Sequence, residues 1–154
     1  MKKLLMVTAL ILSPMVALAD DSAILATYGT ANDGENAWSN SVTIHEDGKL
    51  VVTHCKGYET EGPGCKTRKG KVTAQSVAAI RAAAVASGLA ENPARKDPEP
   101  LMGAEGDWGS VFVDGVECQL WSDPIIDDAN RVGAVKAAIR AAIPTRFFRF
   151  MHPG

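Results

Sequence analysis

Between Asn40 and Cys55, apolar and polar side chains alternate on both sides of Asp47-Gly48, the pattern of a β-hairpin. A type I′ turn needs positive φ at both central residues, which Gly adopts freely and Asp tolerates. A two-residue loop there pairs Glu46 with Lys49, Ile44 with Val51, Val42 with Thr53 and Asn40 with Cys55. One face then carries Val42, Ile44, Val51 and Cys55 and is the better core face. The other carries Thr43, His45, Leu50, Val52 and His54, and is expected to be solvated or partly covered.

The period changes after Thr73. Val77, Ile80, Ala84 and Leu89 recur at helical spacing, with Thr73 as N-cap and Gly88 where a left-handed C-terminal residue belongs. Alternation returns from Trp108 to Trp121 around Asp114-Gly115, pairing Val113 with Val116, Val111 with Cys118 and Gly109 with Leu120. Val111, Val113, Val116, Cys118 and Leu120 form its core face. A last helix begins near Asp127 or Asp128, buries Val132, Val135, Ile139 and Ile143, and stops at Pro144. Ile24 to Tyr28 reads as a first strand, Gly29 to Ser39 as a polar loop with a turn at Asn32-Asp33-Gly34, and Trp38 packs at the base of the hairpin. The tail Arg146 to Met151 reads as a final extended segment covering core, since three exposed phenylalanines would invite aggregation. Two hairpins, each followed by a helix, imply an α+β two-layer sandwich: an antiparallel sheet with two helices packed on one face.

The first 19 residues change the setting. Lys2 and Lys3, the apolar run Leu4 to Leu12 and the Ala17-Leu18-Ala19 site make a secretory signal peptide, with a single exported domain over 20–154. A bacterial periplasmic or secreted protein is expected, with no stable membrane span after cleavage. Taking Lys2 and Lys3 from the 16 basic residues leaves 14 against 18 acidic ones, so nucleic acid is not an expected partner. Export permits a disulfide. Cys55–Cys65 would close the flexible loop 56–64 and leave Cys118 as a buried thiol; Cys55–Cys118 is the rival, both residues falling on core faces.

Candidate chemistry is sparse. Gly-x-Ser-x-Gly, His-Glu-x-x-His and P-loop patterns are missing. His45 and His54 share a hairpin face but lie roughly 13 Å apart along it, too far to ligate one metal. Asp97, Glu99, Glu105 and Asp107, in the unpatterned stretch Ala90 to Asp107, match no ligand spacing, and that stretch reads as a solvated connector. No cofactor, metal or catalytic residue is expected, and a small hydrolase ranks last among the functions. The basic run Lys66 to Lys71 reads as an edge strand defended by lysines in preference to an acidic-partner surface. The feature left for function is the second hairpin's other face, with Trp108, Phe112, Glu117, Gln119 and Trp121, and Ser110 among them. Trp108 and Trp121 come opposite one another. A mixed aromatic and polar face suits binding, unless the tail or a loop covers it.

The order strand, x-x-E-D-G-x, strand, a T-x-x-S helix ending G-L, then V-x-V-D-G-V-x-x-x-L and a terminal helix resembles emfourin-like inhibitors of M4-type metalloproteases, and related secreted hairpin–helix domains. The resemblance spans roughly residues 22–143 as architecture, and no inhibitory residue carries over by position. It implies a non-enzymatic inhibitor or partner-binding module whose partner is another exported or envelope protein. The alternative is a domain that binds a small molecule or a cell-envelope polymer.

Overall fold

The computed structural model describes residues 22–99 and 106–152. The expected signal peptide over 1–19, its cleavage site and Glu105 lie outside the described residues. The fold is α+β: an open six-stranded antiparallel sheet with three helices. The strands are β1 Ile24–Asn32, β2 Trp38–His45, β3 Lys49–Lys56, β4 Cys65–Lys71, β5 Gly106–Val113 and β6 Val116–Leu120. The helices are α1 Ala74–Ser87, α2 Ile126–Ala142 and α3 Thr145–Met151. Spatial order is β4-β3-β2-β1-β5-β6. The sheet is therefore not two joined hairpins. β1 runs on through Gly29, where a loop was expected, and lies between β2 and β5. A four-strand meander thus continues into the β5–β6 hairpin.

The second hairpin has the expected register, Val111 opposite Cys118 and Val113 opposite Val116, with Asp114 at φ 49° and Gly115 at φ 80°. The first does not. Ile44 pairs with Leu50, Val42 with Val52 and Asn40 with His54, one residue away from the two-residue expectation. Its loop holds one more residue: Gly48 N–H donates to the His45 carbonyl at 2.9 Å, Gly48 alone takes positive φ at 82°, and Lys49 N–H donates to the Asp47 carboxylate at 2.9 Å. This is a three-residue loop closed by a glycine bulge. A one-residue slip exchanges the faces. Leu50 and Val52, assigned to the outer face, are fully buried beside Val42 and Ile44, and Val51 is half-buried on the opposite face.

α1 is capped as its sequence dictates: Thr73 accepts from Ser76 N–H, and Gly88 sits at φ 62°. Val77, Ile80 and Ala84 are buried. α2 starts one residue ahead of the expected acids, with Asp127 and Asp128 in its first turn. The tail is helical, not extended. α3 buries Phe147 and Met151 in the same hydrophobic cluster as Val132, Val135 and Ile139 of α2 and the buried strand residues. As a helix these seven residues turn Phe147 and Met151, one turn apart, into the core and leave Arg149 exposed, whereas an extended strand would put Arg149 on the same face between them.

Cys55 and Cys65 face one another across β3 and β4 and form the disulfide; Cys118 is free and buried. Burial pushes the Cys118 thiol above its ordinary value, so little reactive thiolate forms at neutral pH. No helix among the described residues is long and apolar enough to cross a membrane.

Candidate functional site

The register of the sheet builds the floor of the site. Trp108 pairs with Gly29, Gly29 with Ser41, Ser41 with Thr53 and Thr53 with Thr67, a row across five strands on one face. The next row runs Gln119, Ser110, Thr27, Thr43, Val51 and Lys69. Hydroxyls of adjacent strands bond one another, Thr27 to Ser110 at 2.9 Å and Thr53 to Thr67 at 2.9 Å. The face is thus a level hydroxyl-rich surface with one large aromatic on it. The Trp108 indole lies across the β1 backbone at Gly29, where a Cβ would meet its ring at 2.6 Å, and 45% of the residue stays exposed. Glycine at 29 is what lets the ring lie flat.

The remaining sequence-derived candidates have different surroundings. Glu117 and Gln119 are exposed on β6, opposite Phe112 and Ser110. Ser110 itself is buried and committed to Thr27, whose hydroxyl also accepts from the Ser110 N–H at 3.0 Å. Phe112 is half-buried and forms a wall of a groove of about 620 Å³ with Ile24, Val85 and Val113, near the Arg81–Glu46 ion pair. Trp121 is drawn away. The β5–β6 ladder ends at Gly109–Leu120, one pair short of the tryptophans. The Trp121 indole N–H donates to the Ala94 carbonyl at 2.9 Å, with Lys96 5.9 Å from the ring centre.

The stretch that holds Trp121 is not a loose connector. Arg95 N–H donates to buried Asp128 at 2.9 Å, Asp97 N–H to the Asp123 carbonyl at 2.7 Å, and Arg131 reaches the Asn92 carbonyl at 2.7 Å. The Arg95 N–H and then the Arg131 guanidinium hold the Asp128 carboxyl below the usual carboxylate range. Asp107, one of the four acids weighed as a cluster, is a structural anchor. Lys136, buried on α2, donates to its carboxylate at 2.8 Å, its carbonyl at 2.7 Å and the Trp121 carbonyl at 2.8 Å, so all three ammonium protons have acceptors. Tyr28 donates to the same carboxylate at 3.1 Å, and burial, then the Asp107 charge, push its phenol up to about 12. Among the described residues no group of three or more His, Cys, Asp or Glu is placed to hold a metal.

A second concavity was not legible in the sequence. Trp38, Tyr58, His54, Lys56 and Met151 line a cleft of about 620 Å³ at the far end of β2 and β3, beside the disulfide loop. His54 is buried with Nδ1 2.8 Å from the Asn40 side-chain oxygen, and burial holds its pKa down. The Tyr58 hydroxyl accepts from Gly34 N–H at 3.4 Å and spans two loops, while the residue stays 76% exposed. These residues come from β2, from the end of β3 with the loop after it, and from α3, so only the α3 packing and the β2–β3 register bring them together.

No family model matches the chain, and no curated protein matches it either.

Proposed function

We propose that this chain is an exported, non-enzymatic module that binds another secreted or envelope protein, with the open sheet face around Trp108 as its contact surface. Restraint of a protease or other envelope enzyme is the task that fits such a module. One observation carries the reading: a large indole laid flat on Gly29 and 45% exposed, beside a level hydroxyl-rich floor, with exposed Gln119 and Glu117 further along the same hairpin face. Aromatic anchors with polar neighbours concentrate binding energy in protein interfaces. An indole already immobilised on the sheet loses little further freedom on binding.

The test is capture of a partner from envelope extract by the mature chain, followed by titration of the purified pair. Trp108→Ala is expected to weaken binding by about 2 kcal/mol with the fold intact. Trp121→Ala, which loses a half-buried indole and its hydrogen bond, is expected to cost about 2–4 kcal/mol of stability instead. Normal affinity in the Trp108 variant ends this reading. A second reading, binding of a small molecule, draws on the Trp38–Tyr58 cleft, whose volume of about 620 Å³ is in the ligand-pocket range.

A further inference from the structure

β4 and α3 read CKTRKGK and TRFFRFM, seven residues each and without an acid, in a chain whose net charge is −2. The fold places the two together. α3 packs against β3, and its Phe147 covers Gly70 of β4 so closely that a Cβ there would meet the ring at 2.6 Å. The Arg146 guanidinium stands 3.4 Å from the same point. Arg68 lies 4.5 Å over the Phe150 ring and Arg146 5.1 Å over the Phe147 ring. Arg68 is therefore held in place by a ring about eighty residues along the chain, and Arg146 by its own neighbour. Lys66 and Arg68 alternate with Thr67, Lys69 along the strand, and Arg149 is exposed one turn beyond Arg146.

Six cations thus gather at one border: Lys66, Arg68, Lys69, Lys71, Arg146 and Arg149. Among the described residues none of them pairs with a carboxylate, whereas Arg81, Arg95, Arg131 and Lys136 do. β4 is also the end of the sheet, with no strand on its outer side among the described residues. Lysines on such an edge repel a second copy of the same edge. The same charges attract a strand of opposite sign. We propose that the β4 edge, together with Arg146 and Arg149 of α3, binds an extended, carboxylate-rich segment of a partner protein as an added antiparallel or parallel strand.

The unpaired edge points to a peptide over other polyanions. Its alternating N–H and C=O groups are satisfied by another backbone, whereas a phosphate or sulfate chain engages the cations alone. Charges on both sides of β4 suit a peptide with acids at successive positions, because consecutive side chains of the added strand face opposite ways. This border is remote from Trp108, since β3, β2 and β1 stand between β4 and β5, although Lys69 ends one row of the same sheet face.

The experiment is fluorescence anisotropy with the mature chain and a labelled ten-residue peptide of alternating Glu and Thr. A peptide of the same charge interrupted by prolines serves as the non-strand control, and inorganic polyphosphate as a competitor. The Glu-Thr peptide is expected to bind, and at least about threefold more weakly when salt is raised from 50 to 300 mM. The proline peptide is expected to bind at least about tenfold more weakly, since proline removes strand donors. Lys69→Glu with Lys71→Glu, and separately Arg149→Glu, are expected to lower affinity by about tenfold or more and about threefold, at unchanged circular dichroism. Trp108→Ala is expected to leave this binding unchanged. The proposal is overturned if the Glu-Thr peptide does not bind, which would leave the lysines as edge guards alone. It is equally overturned if the proline peptide binds as well, or polyphosphate displaces the peptide at equal charge concentration, either of which would mean charge attraction without strand addition.

Discussion

Asp47-Gly48 and Asp114-Gly115 present the same dipeptide between strands of alternating pattern, and the chain turns differently at each. At Asp114-Gly115 both residues take positive φ, the loop has two residues, and a Cβ on Gly115 would meet nothing within 4 Å. At Asp47-Gly48 only the glycine does, and the loop has three. The second turn is exposed at the β5–β6 end of the sheet, where Val113 is half-buried and Val116 is 48% exposed, so its own backbone chemistry decides. The first is held from outside. Glu46 N–H donates to the Ala23 carbonyl at 2.8 Å, and Val72 N–H to the Gly48 carbonyl at 2.8 Å. More important, a two-residue loop would send Leu50 and Val52 away from Val42 and Ile44. Burying a leucine and a valine is worth about 1.5–3 kcal/mol each, more than the choice between good turn types. Turn chemistry sets a register when the core accepts it, as it does with Val111, Cys118 and Leu120 buried, and the core overrules it when two large side chains depend on the outcome.

The largest test of that contrast lies in the core. Leu50→Ala is expected to cost about 2–5 kcal/mol in urea titration, while Val51→Ala, on the half-buried opposite face, costs under about 1.5 kcal/mol. A two-residue register would reverse that order, so a larger loss at Val51 would refute the assignment. The turns come next. Gly115→Ala carries the strain of a left-handed alanine alone, about 1 kcal/mol. Gly48→Ala carries the same strain and also presses a Cβ to 2.9 Å from the Val72 carbonyl oxygen, and is expected to lose more stability than its counterpart. Equal losses would mean that the packing of Val72 on the first turn has no energetic weight.

The smallest expected effect is pH-dependent and belongs to the first hairpin. Burial lowers the His54 pKa below 6.5 in the folded chain, so the unfolded chain takes up its proton first. The stabilisation is complete above pH 6.5 and is lost as pH falls through the folded value. Asp47 and Asp128, held below 3.8 by backbone N–H donors from Lys49 and Arg95, stay ionised throughout that window. Urea midpoints at pH 7.5 and 5.5 are expected to fall in the native chain and to fall less in His54→Gln. An identical fall in both would assign the acid sensitivity elsewhere.

What the sequence determined by itself was local. The Thr73 cap and the left-handed Gly88 each depend on backbone within a few residues, and both stand where the pattern put them. The Asp114-Gly115 register and the Cys55–Cys65 bridge, which closes a loop of separation 10, were legible for the same reason. The α+β class followed from the change of period between strands and helices. The tertiary structure alone decided what depends on partners far along the chain. β1 took a central place because β5, some eighty residues on, pairs with it. The tail became a helix because that form buries Phe147 and Met151 together while turning Arg149, which lies between them, to solvent. The same kind of distant partner divided the candidate site. Trp108 remained exposed because Gly29 gives its ring a bed, whereas Trp121 was withdrawn by a hydrogen bond to Ala94. Side-chain alternation assigns a residue to a face, but the segment that crosses that face determines whether the residue meets solvent.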